Sequence, residues 1–278
     1  MKTWLITGAS RGFGALIAKQ ALDRGDKVVA TARNPETVAR AFGDHPNLLA
    51  VALDVSEEAQ AKAAAAAAAE RFGRIDVLLN NAGFGLLGAI EENSAEDVEA
   101  VFRTNVFGLL SVTRAVLPHM RAQRSGHVIN ISSVGGYRAS AGWGVYCSTK
   151  FAVEGISEAL ASEVGPLGVK VTVVEPGYFR TDFLDGASLA RSPTIIEDYA
   201  ETTGALRAKA AAINHNQPGD PVRLAAAMMT LADAANPPLR MPFGSDTVAA
   251  IEAKNAFVAE ELAAWRALAV STDFPAGA

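Results

Sequence analysis

Short apolar runs alternate with longer stretches of helical composition along most of this chain. The runs are rich in leucine or β-branched residues and occur at residues 2–6, 27–31, 48–53, 75–79, 127–132 and 169–174. This alternation indicates a parallel sheet, because right-handed crossovers between parallel strands place helices on both of its faces. The pattern predicts a doubly wound α/β fold that binds its ligand at the carboxyl ends of the strands.

A glycine-rich turn follows the first apolar run. Gly8, Gly12 and Gly14 lie between residues 2–6 and a helical pattern that passes through Leu16. Gly8 permits a tight turn, Gly12 lets the backbone approach a pyrophosphate, and Gly14 allows close helix packing. The helix start adds unpaired N–H groups and the positive end of a dipole. We expect this loop to hold a dinucleotide, and a purely structural turn is the alternative.

Tyr146 and Lys150 form a second candidate feature. One helical turn separates them, so the phenol and the ammonium group share a helix face at hydrogen-bonding range. A fixed cation within about 4–6 Å lowers the pKa of a phenol from its usual value of ~10, which makes proton exchange near neutral pH feasible. The same spacing is common on helix surfaces, so the pair indicates catalysis only together with the rest of the chain.

Several motifs occur in a characteristic order along the chain. They are Thr7-Gly8-x-x-x-Gly12-x-Gly14, Asn80-Asn81-Ala82-Gly83, Asn105, Ser133, Tyr146-x-x-x-Lys150 and Pro176-Gly177. In their order and spacing they resemble the single-domain short-chain dehydrogenase/reductase family over nearly the whole chain. The longer epimerase and dehydratase branch is disfavoured, because its glycine pattern is Thr-Gly-x-x-Gly-x-x-Gly.

The resemblance implies a Rossmann-like sheet of seven parallel strands in the order 3-2-1-4-5-6-7, with a last short strand at 239–242. It implies one dinucleotide-binding and catalytic domain over residues 1–278, an ordinary length for a single α/β domain. Residues 182–219 are the least regular segment, and the family commonly forms a lid over the substrate there. Simple disorder of this segment is the alternative to a lid. Asp220-Pro221 then predicts a new helix start.

The resemblance also implies a catalytic set of four residues. Tyr146 would give a proton to the developing alkoxide in reduction and remove it in oxidation, while Lys150 lowers its pKa and holds the nicotinamide ribose. Ser133 precedes Tyr146 by 13 residues and would hydrogen-bond the substrate oxygen, whereas Ser132 would not. Asn105 would belong to a water-mediated proton relay, and without the resemblance it would be interpreted as a helix-surface residue.

Contacts to the cofactor follow from the same resemblance. Ala32 stands where an acidic residue binds the ribose 2′-hydroxyl in NAD-preferring relatives. Arg11 and Arg33 could surround a 2′-phosphate, which favours NADP(H) over NAD(H); two solvated arginines are the alternative. The predicted cofactor-binding residues are Gly8, Ser10, Arg11, Gly12, Phe13, Gly14, Arg33, Asp54, Val55, Asn81, Ala82, Gly83, Tyr146, Lys150, Pro176, Gly177 and Thr181.

Composition narrows the classes of function. The chain has a net charge of -5 and lacks clustered lysine and arginine, so we expect no nucleic-acid partner. Cys147 is the only cysteine and the four histidines lack metal-ligand spacing, so we expect neither an intrachain disulfide nor a metal site. A signal-type N-terminus and an apolar stretch of ~18–20 residues are also missing, which predicts a cytoplasmic protein that does not span a membrane. Whether the chain forms a homo-oligomer stays open.

Large apolar residues adjoin the motifs and indicate the class of substrate. They are Phe84, Tyr137, Trp143, Tyr178 and Phe179. Only Arg138 and Arg180 accompany them as basic residues, so a lipophilic or ring-bearing substrate is favoured over a phosphorylated sugar or a carrier-linked thioester. Core packing is the alternative. The sequence thus predicts an NADP(H)-dependent oxidoreductase that interconverts a ketone or aldehyde and an alcohol. An NAD(H)-linked dehydrogenase of the same family and a non-catalytic dinucleotide-sensing protein are the alternatives.

Overall fold

Strands and helices alternate along residues 1–274, which are the residues that the computed structural model describes. The strands are β1 (Thr3–Ile6), β2 (Lys27–Ala32), β3 (Leu48–Ala52), β4 (Val77–Asn80), β5 (Gly85–Leu87), β6 (Gly126–Ile131), β7 (Val169–Pro176), β8 (Leu189–Arg191) and β9 (Arg240–Phe243). The α-helices are α1 (Gly12–Asp23), α2 (Pro35–Phe42), α3 (Glu58–Phe72), α4 (Ala95–Phe102), α5 (Leu109–Gln123), α6 (Gly144–Val164), α7 (Ala205–Ile213), α8 (Pro221–Asp233) and α9 (Ser245–Val270).

Seven of the strands form one parallel sheet in the order β3-β2-β1-β4-β6-β7-β9. Numbered within that sheet, this is the predicted order 3-2-1-4-5-6-7, so the prediction of a doubly wound Rossmann-like fold is confirmed. The remaining two strands, β5 and β8, form a separate parallel pair. Each has three residues, which is too short for a periodic signal in the sequence.

Helices cover both faces of the sheet, and neighbouring strand residues pack into different layers. Trp4 belongs to the cluster packed by α1 and α8, whereas Leu5 belongs to the cluster packed by α3 and α5. Both side chains are completely buried. Burial on both faces explains why the strands read as continuous apolar runs rather than as alternating patterns.

Residues 182–219 are more regular than expected, because they contain β8, α7 and several short 3-10 and π-helical turns. We call this segment the lid. Gly85 N donates to Ser188 O, so the β5–β8 pair ties the lid to the chain that leaves β4. After the lid, the Asp220 carboxylate accepts from Val222 N at 2.8 Å, which confirms the predicted start of α8.

One helical stretch, Ala95–Gln123, is long and apolar enough to cross a membrane by length and composition alone. Half of its most apolar window is buried inside the fold. The absence of a membrane partner stays a prediction.

Candidate active site

The glycine turn after β1 is held against the end of β4. Gly8 has a φ of +64°, in the region that favours glycine. The Thr7 hydroxyl accepts from Asn81 N at 2.9 Å and from Ala82 N at 3.0 Å, and the Asn81 amide donates back to Thr7 O at 2.9 Å. A Cβ on Gly14 would collide with Gly8 O. Two neighbouring strand ends are thereby locked together at the carboxyl edge of the sheet.

The N-terminus of α1 suits an anionic ligand. Its N-cap is Arg11, which provides no side-chain hydrogen bond to the first turn, and no acidic residue lies in that turn. Backbone N–H groups and the positive end of the helix dipole are therefore left for a ligand. This arrangement fits the pyrophosphate of a dinucleotide.

Tyr146 lies near the start of α6 inside an apolar shell. Its ring makes an edge contact with Trp143 at 5.6 Å and a tilted contact with Phe183 of the lid at 5.7 Å between centroids. Burial raises the pKa of Tyr146 above its usual value, and a hydrogen bond with Ser133 only partly opposes this rise. In the protein without ligand, burial therefore decides the direction of the shift, and the expected lowering of this pKa by Lys150 stays a prediction.

Lys150 lies one turn further along α6. Its Nζ donates to Ile131 O at 2.8 Å and lies 5.8 Å from the centroid of the Tyr146 ring. Burial lowers the pKa of Lys150 to about 8, against the opposing effect of Glu154. The ammonium is thus fixed by the end of β6.

Ser133 and Ser132 differ as expected. Ser133 lies at the start of a 3-10 turn, where its hydroxyl accepts from Gly135 N at 3.0 Å and reaches Tyr146. The Ser132 hydroxyl instead lies beside the place that a Cβ on Gly136 would occupy, as does the Glu154 carboxylate. The geometry therefore brings Ser133, and not Ser132, to the phenol.

Asn105 lies in a π-helical turn, Arg103–Gly108, between α4 and α5. Its amide donates to Phe84 O at 2.9 Å and to Thr149 Oγ1 at 3.1 Å, and its carbonyl accepts from Phe84 N at 3.0 Å. These bonds explain an asparagine within a helical pattern. The side chain is 2% exposed, lies behind Gly83, and holds the loop after β4 and helix α6 in place.

A single cavity of about 1180 Å³ joins these parts. Of the predicted site residues, only Gly14 and Asn105 lie behind its wall, where they pack against lining groups. The predicted residues that line it are Gly8, Ser10, Arg11, Gly12, Phe13, Arg33, Asp54, Val55, Asn81, Ala82, Gly83, Ser133, Tyr146, Lys150, Pro176, Gly177 and Thr181.

Comparison with known proteins identifies the family. The sequence profile described as short chain dehydrogenase matches residues 2–191, which is more than half of the chain. The chain belongs to the short-chain dehydrogenase family. Like its relatives, it is an NAD(P)-dependent oxidoreductase acting on CH–OH groups.

Two curated relatives cover most of this short-chain dehydrogenase. It is 41% identical over 250 residues to an oxidoreductase of Botryotinia fuckeliana, which covers 89% of the chain and 90% of that protein. It is 39% identical over 242 residues to a 3-ketodihydrosphingosine reductase of Bacteroides thetaiotaomicron, which covers 86% of the chain and 87% of that protein.

A solved short-chain dehydrogenase from Streptomyces avermitilis is 40% identical, with a TM-score of 0.89 and coverage of 98% of this chain and 100% of that one. Solved relatives bind either dinucleotide. A Burkholderia phymatum protein was solved with NAD; it is 26% identical, with a TM-score of 0.81 and coverage of 94% of this chain and 95% of that one. A serine dehydrogenase was solved with NADP⁺; it is 30% identical, with a TM-score of 0.73 and coverage of 87% of this chain and 94% of that one.

At the predicted adenosine end of the cavity, the two arginines of this short-chain dehydrogenase have different roles. Arg33 is exposed and lines the cavity beside Ala32, with no carboxylate at that position. Arg11 donates to Ala187 O of the lid. The Asp54 carboxylate accepts from Ser56 N and Oγ, which lowers the pKa of Asp54, with Arg33 adding to the effect. Of these two arginines, only Arg33 has no protein acceptor among the residues that the structure describes.

The predicted apolar lining is largely correct. Phe84, Trp143, Tyr178 and Phe179 line the cavity. Tyr137 was wrongly included, since its hydroxyl donates to Asn255 on α9 and it lines a separate groove. Sequence position alone could not separate it from its neighbours. The lid adds lining residues that carried no motif signal, namely Phe183, Leu184, Leu189, Leu206 and Ile213, and Cys147 lines the cavity from α6.

A cluster of buried charges beneath the cavity was not predicted. Glu175, at the end of β7, is completely buried, and Glu154 on α6 is 5% exposed. Arg240 Nε lies 3.3 Å from Glu154 Oε2 and 3.5 Å from Glu175 Oε1. Burial and the neighbouring Glu154 raise the pKa of Glu175 to about 7. The glutamate just before Pro176-Gly177 is the only sign of this cluster in the sequence, and it does not reveal that Glu154 and Arg240 lie beside Glu175.

Asp182, Asp185 and His215 bring three ligand-type atoms to within 4.8 Å of one another at the lid. Asp182 and His215 are exposed, and exposed acidic groups are common without an ion. The sequence-based expectation of no metal stays a prediction.

Proposed function

We propose that this short-chain dehydrogenase uses NADP(H) to interconvert a lipophilic ketone or aldehyde and its alcohol. The main support for this proposal is that Ser133, Tyr146 and Lys150 line the same cavity as the glycine turn and Arg33. A cavity of about 1180 Å³ has room for a dinucleotide and a further molecule.

The chain itself supplies a proton and the orientation of the substrate. The bound nicotinamide supplies or accepts the hydride. The buried phenol of Tyr146 is neutral and donates its proton to a substrate oxygen that also hydrogen-bonds Ser133. Lys150, fixed at Ile131 O, places a positive charge beside the phenol and stabilises the negative charge that develops on it as the proton leaves. Asn105 acts by positioning the loop after β4 and helix α6.

The choice of NADP(H) is supported by Arg33 beside Ala32. A 2′-phosphate needs a cationic, planar donor, whereas recognition of a bare ribose hydroxyl uses a carboxylate at this position. Arg11 contributes less than the sequence indicated, because the lid carbonyl of Ala187 already accepts from it.

Titration with both cofactors tests this choice. NADPH should bind at least about tenfold more tightly than NADH, which corresponds to roughly 1.4 kcal/mol. Arg33→Asp should abolish most of the preference, and Arg11→Ala serves as the matched control with a smaller effect. Equal dissociation constants of the wild-type protein for the two cofactors would contradict the proposal.

The lipophilic substrate is supported by the apolar lid and by the aromatic residues Phe84, Trp143 and Phe179 in the cavity wall. A relative named 3-ketodihydrosphingosine reductase agrees with a ketone as substrate. With NADPH, specificity constants should rank aryl and cyclic terpenoid or steroid ketones above small sugars and acetoacetyl thioesters. A highest value for a sugar or a thioester would refute this class.

A cytoplasmic location forms part of the proposal and is supported by the lone, buried Cys147, which suits a reducing compartment. Fractionation of the source cells with compartment markers tests it.

A further inference from the structure

Two segments of the chain form the wall of the cavity around Tyr146. One leads from Ser133 to helix α6, and the other is helix α7 of the lid. They touch, because a Cβ on Gly142 would lie 2.8 Å from Leu206 Cδ2. Ala210 of α7 is 3% exposed and packs in the same apolar cluster as Tyr146. We call this part of the cavity the substrate end, because it borders the phenol that exchanges its proton.

The wall of the substrate end is apolar from the phenol outwards. Apolar side chains that line it are Trp143, Cys147, Leu184, Leu189, Leu206 and Ile213. The first four are buried, whereas Leu206 and Ile213 of α7 are only half-buried. The apolar surface therefore continues from the interior towards solvent, and an apolar chain or ring whose carbonyl oxygen contacts Tyr146 would extend along it.

Arg138 brings a positive charge to the substrate end from the turn that follows Ser133. Its backbone N donates to Val134 O at 2.9 Å, and its side chain lines the cavity. The preceding Tyr137 lines the separate groove instead, so the two neighbouring side chains point to different places. Arg138 is exposed, and among the described residues its guanidinium has neither a hydrogen-bond acceptor nor a carboxylate partner. Its donors are therefore left for a ligand.

Lys209 brings a second positive charge to the substrate end from α7. It precedes Ile213 by one helical turn, so both side chains share one side of α7, and both line the cavity. Its exposed ammonium also has no acceptor in the described part of the chain. The arginines of the lid differ, because Arg191 donates to a backbone carbonyl and Arg207 pairs with Glu92. Lys209 therefore does not fasten the lid as those arginines do.

Other basic groups at the cavity have partners or roles of their own. Arg180, which was also expected beside the pocket, donates to Gln217 O at 3.3 Å. Arg33 and the N-terminus of α1 are the groups that we assign to the phosphates of the dinucleotide. Arg138 and Lys209 are therefore left for the substrate.

The carboxylates of the cavity wall do not neutralise these two cations. Asp54 and Asp246 accept from backbone N–H groups, and Asp182 lies within 4.8 Å of His215. None of the three pairs with either cation among the residues that the structure describes. The substrate end thus keeps two positive charges beside an apolar wall, and such charges attract an anionic group.

We propose that the substrate is a lipophilic ketone with a carboxylate at the end remote from its carbonyl, and that Arg138 and Lys209 bind this carboxylate. This rests on the proposed function, because Ser133 and Tyr146 fix the carbonyl end. Arginine offers a carboxylate two parallel N–H donors, and lysine adds a point charge from the lid. Both cations are exposed, so water screens each contact, and together they should favour the acid about fivefold over a neutral analogue.

Methyl ketones of increasing chain length test the proposal, each made with a terminal carboxylic acid and as its methyl ester. With saturating NADPH, wild-type kcat/KM should be about fivefold higher for the acid than for the ester at the best chain length, and added salt should reduce this ratio. Arg138→Gln combined with Lys209→Gln should bring the ratio to about one. Arg223→Gln is the matched control, because Arg223 is 89% exposed at the start of α8 and does not line the cavity.

Charge reversal gives the same test a second direction. Arg138→Glu combined with Lys209→Glu should prefer a methyl ketone with a terminal amine to the matching acid, whereas the wild-type protein should prefer the acid. Circular dichroism checks that each variant folds. A folded reversal variant that still prefers the acid would overturn the proposal.

Calorimetric binding to the NADP⁺ complex separates this inference from the proposed function. Tighter binding of the acid than of the ester, with no reduction of any ketone by NADPH or NADH, would contradict the proposed function while supporting the two cations as an anion site. Equal affinities, a preference that persists in the folded glutamine double variant, or the same loss in Arg223→Gln would overturn the anion site. Reduction of the ketones would then still support the proposed function.

Discussion

Replacing Glu175 by glutamine should make the stability of the protein less dependent on pH. Glu175 is completely buried and shares Arg240 with Glu154, the next carboxyl group in the cluster. Two carboxylates beside one guanidinium leave a net negative charge in a poorly solvated place, so a proton is retained. This raises the pKa of Glu175 from its usual 4.5 to about 7.

The size of the effect follows from the two pKa values. The folded protein holds the Glu175 proton more tightly than the unfolded chain does, so the stabilisation is complete below about pH 4.5 and is lost as the pH rises through 7. At roughly 1.4 kcal/mol per pH unit between the two values, the loss totals about 3 kcal/mol, of which about 2 kcal/mol falls between pH 5 and pH 8.5. Glutamine does not titrate and avoids this loss.

Urea unfolding at pH 5 and pH 8.5 measures the effect for wild type and Glu175→Gln. Their difference in free energy of unfolding should move by about 2 kcal/mol in favour of the variant at the higher pH. Glu158→Gln is the matched control, because Glu158 also pairs with Arg240 but its side chain is 63% exposed. If the difference between Glu175→Gln and wild type is the same at both pH values, the idea of a retained buried proton fails.

Three further changes probe the site. Tyr146→Phe keeps the ring but removes the acidic oxygen, so turnover of a responsive ketone should fall by roughly 10²–10⁴ while NADPH affinity stays the same; near-normal turnover would rule out this phenol as the proton donor. Glu92 accepts from Ile196 N at 3.0 Å and pairs with Arg207, both in the lid, so Glu92→Gln should raise KM more than it lowers kcat; a change in kcat alone would contradict a lid role. Gly14→Ala would press its Cβ into Gly8 O, so it should lower both Tm and NADPH affinity, as calorimetry and titration would show; unchanged values would mean that the turn can move.

The fold could be predicted because its signals are local. Six of the seven main-sheet strands are short apolar runs, and the glycine turn follows the first of them, so both features depend on neighbours in sequence. The order of the strands needed the family resemblance. The π-helical turn at Asn105 was visible only as an unfavourable residue in a helical pattern.

The rest depends on contacts that no short stretch of sequence encodes. Arg11 also donates to Ala187, 176 residues away in the chain, and nothing in the sequence around Arg11 indicates this contact. Glu154 and Glu175 lie 21 positions apart, and only the packing of α6 on β7 brings both to Arg240. Tyr137 is close to the motifs in sequence, yet the fold turns its hydroxyl to Asn255. Spacing within one helix predicts a shared face, whereas contacts between elements require the three-dimensional fold.

A residue of the lid contacts the ring of Tyr146, so the burial of this phenol depends on a segment that is distant in sequence. A Tyr-x-x-x-Lys pair seen in isolation predicts a lowered phenol pKa, because sequence shows the cation and not the solvent. In the fold, Phe183 of the lid and Trp143 enclose the ring of Tyr146, while Lys150 is bonded to Ile131 O. Removal of the ring from solvent then raises the pKa of Tyr146, so the phenol keeps its proton.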